Sequence, residues 1–290
     1  MLAAVALAAL ALLHLGLART APGVTELLRW FASGFASAIS ADEGDATDAL
    51  AAYVFRDIRL PRLIVAAFGG AALALAGTVM QAAFRNPLAA PDVIGTSAGA
   101  AFGATLAVLF GVADLSVLAT PAAAIGGAVL VTWLVFTLAS VHERFSVASL
   151  LLAGIALNTL FGALTAFAVT LRFDNYTASS RILSWLMGGL DARTWEHAGI
   201  TIGGAVLFGA LVCRHARELD LLTLRDDSAH SLGVDAPRTR RLVVWFACGL
   251  TATTVANSGG IAFVGLVVPH LARLLVGPAH RLLLPTAALS

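Results

Sequence analysis

The sequence predicts an all-α protein, a polytopic bundle of membrane-spanning helices, and three observations carry that reading. First, 59% of the 290 residues are hydrophobic and only 12% are charged, about half the charged share of a soluble domain. Second, the apolar residues stand in long unbroken runs, and crossing the hydrocarbon takes about 20 such residues as helix. Third, the runs lack the apolar–polar alternation of a membrane barrel strand. Backbone groups in lipid must be paired inside helices or closed barrels, so helices remain.

The first run, residues 2–17, reads as a spanning helix rather than a signal peptide, because no positive stretch precedes it. The apolar run begins at once, so a short cytosolic leader is expected ahead of it. Seven further runs follow at 63–84, 93–110, 117–141, 148–171, 198–213, 242–255 and 261–276. A ninth begins at Leu282 and reaches Ser290, so the sequence predicts a chain cut within its ninth helix, with C-terminal helices to follow. The whole of 1–290 is read as a single transmembrane domain.

Three polar connections interrupt the runs. Residues 20–62 carry the acidic patch Asp42, Glu43, Asp45 and Asp48, and residues 172–196 contain a Trp-Leu-Met-Gly-Gly turn. Residues 214–241 are the most basic, holding Arg214, Arg217, Arg225, Arg238, Arg240 and Arg241. Placing that stretch in the cytosol puts ten Arg inside and eight outside, a weak bias in the direction of the positive-inside rule.

All 18 basic residues are Arg, and Lys is absent. A phosphate-binding loop of the Gly-x-x-x-x-Gly-Lys-Ser/Thr kind needs that Lys, so any ATP used must be hydrolysed by another polypeptide. The net charge of +1 argues against nucleic acid as a partner. Cys213 and Cys248 lack metal-ligand spacing and imply no disulfide framework; neither a metal nor a cofactor is expected. From the second run to the eighth, the apolar cores hold no Asp, Glu or Arg except Arg273 near the end of the eighth. Self-powered pumps keep carboxylates at depth because only function offsets their cost. A passive route driven from outside fits better than a secondary transporter or channel, and an intramembrane enzyme lacks any nucleophile, paired-acid or metal constellation.

Three stretches carry candidate function. In Gln81–Gly103, Pro87 disfavours helix at Asn86, Thr96 or Ser97 can cap a new helix, and Gly95, Gly99 and Gly103 form a smooth face. That face serves helix packing or borders a transport route. In 219–233, Asp226 or Asp227 can cap a short helix with Ala229 and Leu232 on one face and Gly233 at its C′ position. Such a helix either lies on lipid or docks in a partner's groove. In 259–273, Pro269 and His270 lie within an apolar run, where His270 has no second ligand at metal spacing and reads as structural.

Together these stretches resemble the FecCD/BtuC family of permease subunits of ABC importers for ferric siderophores, haem and vitamin B12. The resemblance rests on Arg59-Leu-Pro-Arg62, Gln81…Arg85-Asn-Pro-Leu-Ala…Pro91, Gly95-x-Ser-x-Gly-Ala100, Leu151-Leu-Ala-Gly-Ile-Ala-Leu157, Trp185-Leu-Met-Gly188, Leu232-Gly and Gly260-Ile-Ala-Phe-Val-Gly-Leu-Val-Val-Pro-His-Leu-Ala-Arg273, in family order. It implies a homodimer, or a pair of homologous permeases, with the route along the two-fold axis. A pair of cytosolic ABC ATPase subunits and a periplasmic or lipid-anchored solute-binding protein would complete the importer in the bacterial inner membrane.

The resemblance also implies residue roles. Leu219, Leu222, Arg225, Ser228, Leu232 and Gly233 would couple to the ATPase. Arg59 and Arg62 would dock the binding protein, although each also suits a plain interfacial anchor. Asn86, Pro87, Gly95, Ser97, Gly99, Asn158, Pro269 and His270 would line or gate the pathway. Arg225 stands where the family often has Gly, so the turn before the coupling helix is expected to differ. Asp92 and Ile94 lean toward the ferric-siderophore branch, with haem and vitamin B12 as alternatives.

Overall fold

The computed structural model of the protein describes residues 53–140, 146–171, 176–224 and 226–290. The first apolar run, the acidic patch and Arg225 lie outside the described residues, as does the side chain of Asp227. Among the described residues there are eleven α-helices and no strand. They are α1 (Leu60–Phe84), α2 (Thr96–Leu109), α3 (Ala119–Ser140), α4 (Val147–Thr170), α5 (Tyr176–Met187), α6 (Trp195–Arg214), α7 (Ala216–Leu222), α8 (Asp226–Ser231), α9 (Ala236–Ser258), α10 (Val264–Val276) and α11 (His280–Leu289). A π-helical turn, Val54–Arg59, leads into α1.

The long helix α1 is the axis of the bundle. It packs against α6, α9, α10 and α11, and 61% of its most apolar window is buried, against 22% for α4. A buried helix needs small residues where neighbours press closest, and α1 has them. A Cβ on Gly77 would lie 1.7 Å from the Gly265 carbonyl oxygen of α10. By contrast α4 leaves Leu152, Ile155, Leu160 and Phe167 exposed along its length. Among the described residues four helices are long and apolar enough to cross a membrane, namely Val54–Phe84, Ala119–Ser140, Val147–Thr170 and Trp195–Arg214.

The apolar runs located the helices, and polar residues moved their ends. Helix α9 starts at Ala236, ahead of the expected 242, because the Asp235 side chain accepts from the Arg238 N–H at 3.1 Å and Pro237 suits the first turn. Helix α6 likewise starts at Trp195, with Thr194 and His197 forming a reciprocal cap. Helix α10 begins later than expected, at Val264, since Gly259 (φ 70) and Phe263 (φ 69) hold the preceding stretch out of helical geometry.

The expected cap of α2 is corrected. Gly95 (φ 82) occupies the N-cap position with no side-chain cap. The Thr96 hydroxyl pairs instead with that of Thr132 at 3.2 Å, and the Ser97 hydroxyl donates to the Asp92 carboxylate. These partners keep both hydroxyls hydrogen-bonded inside the bundle, where an unpaired one would be costly.

Candidate functional site

The sequence motifs converge in space, in pairs. The Trp-Leu-Met-Gly-Gly turn sits on the stretch after α9: the Gly189 N–H donates to the Ser258 carbonyl at 2.7 Å. A Cβ on Gly259 would stand 2.2 Å from the Trp185 carbonyl oxygen. The turn Pro91–Ile94 sits on α4, where the Asn158 side-chain amide donates to the Asp92 carbonyl at 3.1 Å and Gly154 meets the Val93 carbonyl. Gln81 of α1 donates to the Leu266 carbonyl of α10 at 3.2 Å.

The glycine face of α2 is spent on packing. A Cβ on Gly99 would lie 2.4 Å from the Gly127 carbonyl oxygen of α3, and one on Gly103 would lie 2.2 Å from that of Ala123. Gly95 is buried against Val131. Of the expected pathway residues, Gly99 therefore packs on α3, Gly95 lies against Val131 of α3 and the Gly154 carbonyl of α4, and Ser97 is tied to Asp92. Pro269 is buried, whereas Asn86, Pro87 and His270 are exposed.

At the end bearing α5, a cavity of about 970 Å³ is lined by Asp114, Arg181, Trp185, Asp191, Arg193 and His197, among others. Arg181 pairs with Asp114 at 2.7 Å across its rim, and Arg62 pairs with Asp191 at 3.0 Å. Arg59 is buried. Its neighbour Arg62 is half-buried, so of the two expected docking arginines Arg62 is the more accessible.

The opposite end holds the basic connection 214–241. Leu219 and Leu222 of α7 are fully buried in the main core, so they fasten this region to the bundle rather than present a surface. Ser228, Leu232 and Gly233 are exposed. Gly233 adopts φ 83, the left-handed form expected after α8. Leu232 does not share the buried face with Ala229: it is 56% exposed, while Ala229 is fully buried.

Asp226 does not cap α8. Its carboxylate oxygen accepts hydrogen bonds from Arg85 and from Arg240, the latter at 3.0 Å. Burial pushes the Asp226 carboxyl up, but the hydrogen bonds and charges of the two arginines outweigh it and hold it below the ordinary carboxylate value. Arg240 is 2% exposed and donates through Nε to the Ala83 carbonyl at 2.9 Å. Arg85, at φ 50, ends α1 and donates through Nε to the Leu222 carbonyl at 2.8 Å.

Beside this cluster, Asp220 accepts from the backbone N–H of His280 at 2.9 Å and meets its ring Nδ1 at 2.6 Å, fastening α11 to α7. A cavity of about 440 Å³ runs between them, lined by Gln81, Arg85, Asn86, Asp220, Arg273 and His280. None of the cross-chain partners Arg85–Asp226, Arg240–Ala83 or Asp220–His280 has a sequence signal, since each joins residues brought together only by folding. The acidic side chains of 219–233 were the available hint.

A family model of the FecCD transport family matches residues 6–290. The chain is 40% identical over 233 residues to the cobalamin import system permease protein BtuC of Halobacterium salinarum, covering 80% of this chain and 62% of that protein's length. It is 40% identical over 238 residues to the Fe(3+) dicitrate transport system permease protein FecD of Escherichia coli, covering 82% of this chain and 73% of that one. To the molybdate import system permease protein MolB of Haemophilus influenzae it is 38% identical over 236 residues, covering 81% and 69%. A solved metal-chelate type ABC transporter in an inward-facing conformation superposes with a TM-score of 0.82 at 32% identity, covering 99% of this chain and 84% of that one. The chain is a multi-pass inner-membrane protein and belongs to the FecCD transport family.

Proposed function

We propose that the chain is the membrane-spanning permease subunit of an ABC importer, moving cargo inward by ATP-driven alternating access. The observation that carries this reading is the fastening of the cytosolic segment 216–231 to the last turn of α1. The exposed Asn86-Pro87-Leu88 turn follows that turn directly. A push on α7 and α8 from outside the membrane therefore has a mechanical route into the bundle axis. ATP hydrolysis belongs to separate cytosolic ATPase subunits, which is consistent with the absence of Lys.

In this reading Ser228, Leu232 and Gly233 present the surface that meets the ATPase, while Leu219 and Leu222 hold that surface to the core. Arg225 belongs to the same segment by sequence. Arg62, and Arg59 beneath it, mark the end where a solute-binding protein would dock. A homodimer would place the exposed face of α4 along the shared route, with Asn86, Pro87, Pro269 and His270 toward its inner mouth. Asn158 would hold the Pro91–Ile94 turn against that helix.

The cargo we propose is an iron chelate of the ferric-siderophore kind. Likeness to a ferric dicitrate permease and to a metal-chelate type transporter supports it. Vitamin B12 is the second reading, favoured by 40% identity to a cobalamin permease, and haem is the remaining alternative. Uptake of labelled siderophore, haem and cobalamin by cells carrying or lacking the full-length gene tests the assignment. Gene-dependent accumulation of the siderophore alone supports it, and accumulation of cobalamin alone replaces it with the second reading.

A further inference from the structure

We infer that Asp226 is the positioning residue through which movement of the cytosolic segment reaches the bundle axis, a role that rests on the importer reading above. Helix α8 is short, and among its described side chains Ala229 is buried while Asp226, Ser228, His230 and Ser231 are exposed. Apolar contact therefore contributes little to its attachment. Among the described residues, one carboxylate oxygen of Asp226 receives both Arg85 and Arg240 and ties α8 to the bundle beside the buried Ala229.

The two arginines lead to different places. Arg85 is the residue that ends α1; its backbone is left-handed, and its Nε also holds the Leu222 carbonyl at the end of α7. Arg240 lies in the first turns of α9, and its Nε holds the Ala83 carbonyl of the last turn of α1. The last carbonyls of a helix lack intrahelical partners, so Arg240 supplies one that the bundle needs. Asp226 thus joins α8 to the ends of α1 and α9 at one point, and α1 and α9 pack on one another through the bundle.

Apolar contact is non-directional and does not by itself set the orientation of α8. Two charge-assisted hydrogen bonds to one oxygen fix position and orientation together. The neutral isostere Asp226→Asn keeps the shape, offers an amide oxygen with no charge, and adds donors where both neighbours are already donors. Asp226→Glu keeps the charge.

The test uses the whole importer, permease with its ATPase subunits and binding protein, in proteoliposomes, with ATP hydrolysis and cargo uptake measured on the same preparation. Co-purification of the ATPase subunits reports assembly. For Asp226→Asn the expected result is assembly and hydrolysis within about twofold of wild type, with cargo moved per ATP falling by roughly 5–150-fold, the ordinary range of coupling between sites. Asp226→Glu is expected to recover most of that loss. Should Asp226→Asn fail to assemble, Arg85→Lys takes its place. It keeps the charge, loses the Nε bond to Leu222, and is expected to lower cargo per ATP with hydrolysis retained.

Unchanged cargo per ATP in these variants overturns the inference, as does uptake that falls only in proportion to hydrolysis or assembly, which marks a residue needed for folding alone. Absence of ATP-driven uptake by the wild-type importer removes the importer reading and this role with it. Normal wild-type uptake beside an unaffected Asp226→Asn removes the role alone.

Discussion

Gly77 of α1 and Gly265 of α10 touch backbone to backbone, so closely that a Cβ on Gly77 would fall 1.7 Å from the Gly265 carbonyl oxygen. Neither helix can yield without displacing its other neighbours, because α1 is also packed against α6, α9 and α11. Close interior packing resists even one added carbon.

Gly77→Ala is therefore expected to destabilise the protein by at least about 1–3 kcal/mol, the usual cost of overpacking a tight core. Gly70, in the same helix, has no atom within 4 Å of the position a Cβ would take. Gly70→Ala is expected to be neutral or to stabilise by up to about 1 kcal/mol, since Ala is the better helix former. Thermal unfolding of both variants in detergent checks the contrast; equal melting temperatures would mean that this contact does not constrain the bundle.

The segment 219–233 offers a second contrast, between the exposed Leu232 and the buried Ala229. Leu232→Asp is expected to leave membrane insertion and melting temperature intact and to abolish uptake in whole cells. Ala229→Asp puts an unpaired carboxylate into a site with no access to water, and is expected to lower stability by several kcal/mol, in line with the penalty for burying a charge. Normal uptake by Leu232→Asp would refute a partner-facing role for that side chain.

Asn158 bonds the Asp92 carbonyl from a half-buried position, and Asn158→Ala removes that donor. The expected cost is about 1 kcal/mol, typical of one such hydrogen bond, read as a lower melting temperature. Uptake is expected to fall by more than the lost folded fraction explains, because the Pro91–Ile94 turn is then no longer held to α4. Uptake that tracks the folded fraction would assign Asn158 to stability alone.

Asp226 also sets a pH dependence. Its carboxyl titrates below the ordinary value of 3.8, because Arg240 and Arg85 favour the ionised form over the opposing effect of burial. A depressed folded pKa gives stability that is present above the unfolded value and is lost as pH falls through the folded one. The melting-temperature gap between wild type and Asp226→Asn is expected to be constant from about pH 5 to 7 and to narrow below the ordinary carboxylate range. A gap that widens on acidification would contradict the ion pairing.

Much of the bundle was legible in the sequence because lipid leaves the chain few choices: long apolar runs must become helices, and α1, α3, α4 and α6 lie where those runs stand. What the runs concealed were helix ends set by polar residues. Asp235 starts α9 inside a stretch of arginines that hydropathy alone reads as loop. The glycines were legible as a packing face, yet their partner, Gly127 of α3, was not, since spacing on one helix does not name its neighbour. Asp226 was read as a cap from local pattern. Its true partners lie 141 and 14 residues away along the chain, a distance at which no local rule operates. The short helix α8 was expected to bury Leu232 with Ala229, but α8 ends at Ser231 and the left-handed Gly233 follows, so Leu232 leaves the helical face.

If the proposed function holds, this lysine-free bundle moves cargo only when another polypeptide's ATP hydrolysis pushes on the segment 214–241. The most direct measurement reconstitutes the full-length permease in liposomes with and without its ATPase subunits, supplies cargo-loaded binding protein outside, and follows accumulation. Uphill accumulation that requires both the ATPase subunits and hydrolysable ATP is the expected result. Uphill accumulation by the permease alone would contradict the account.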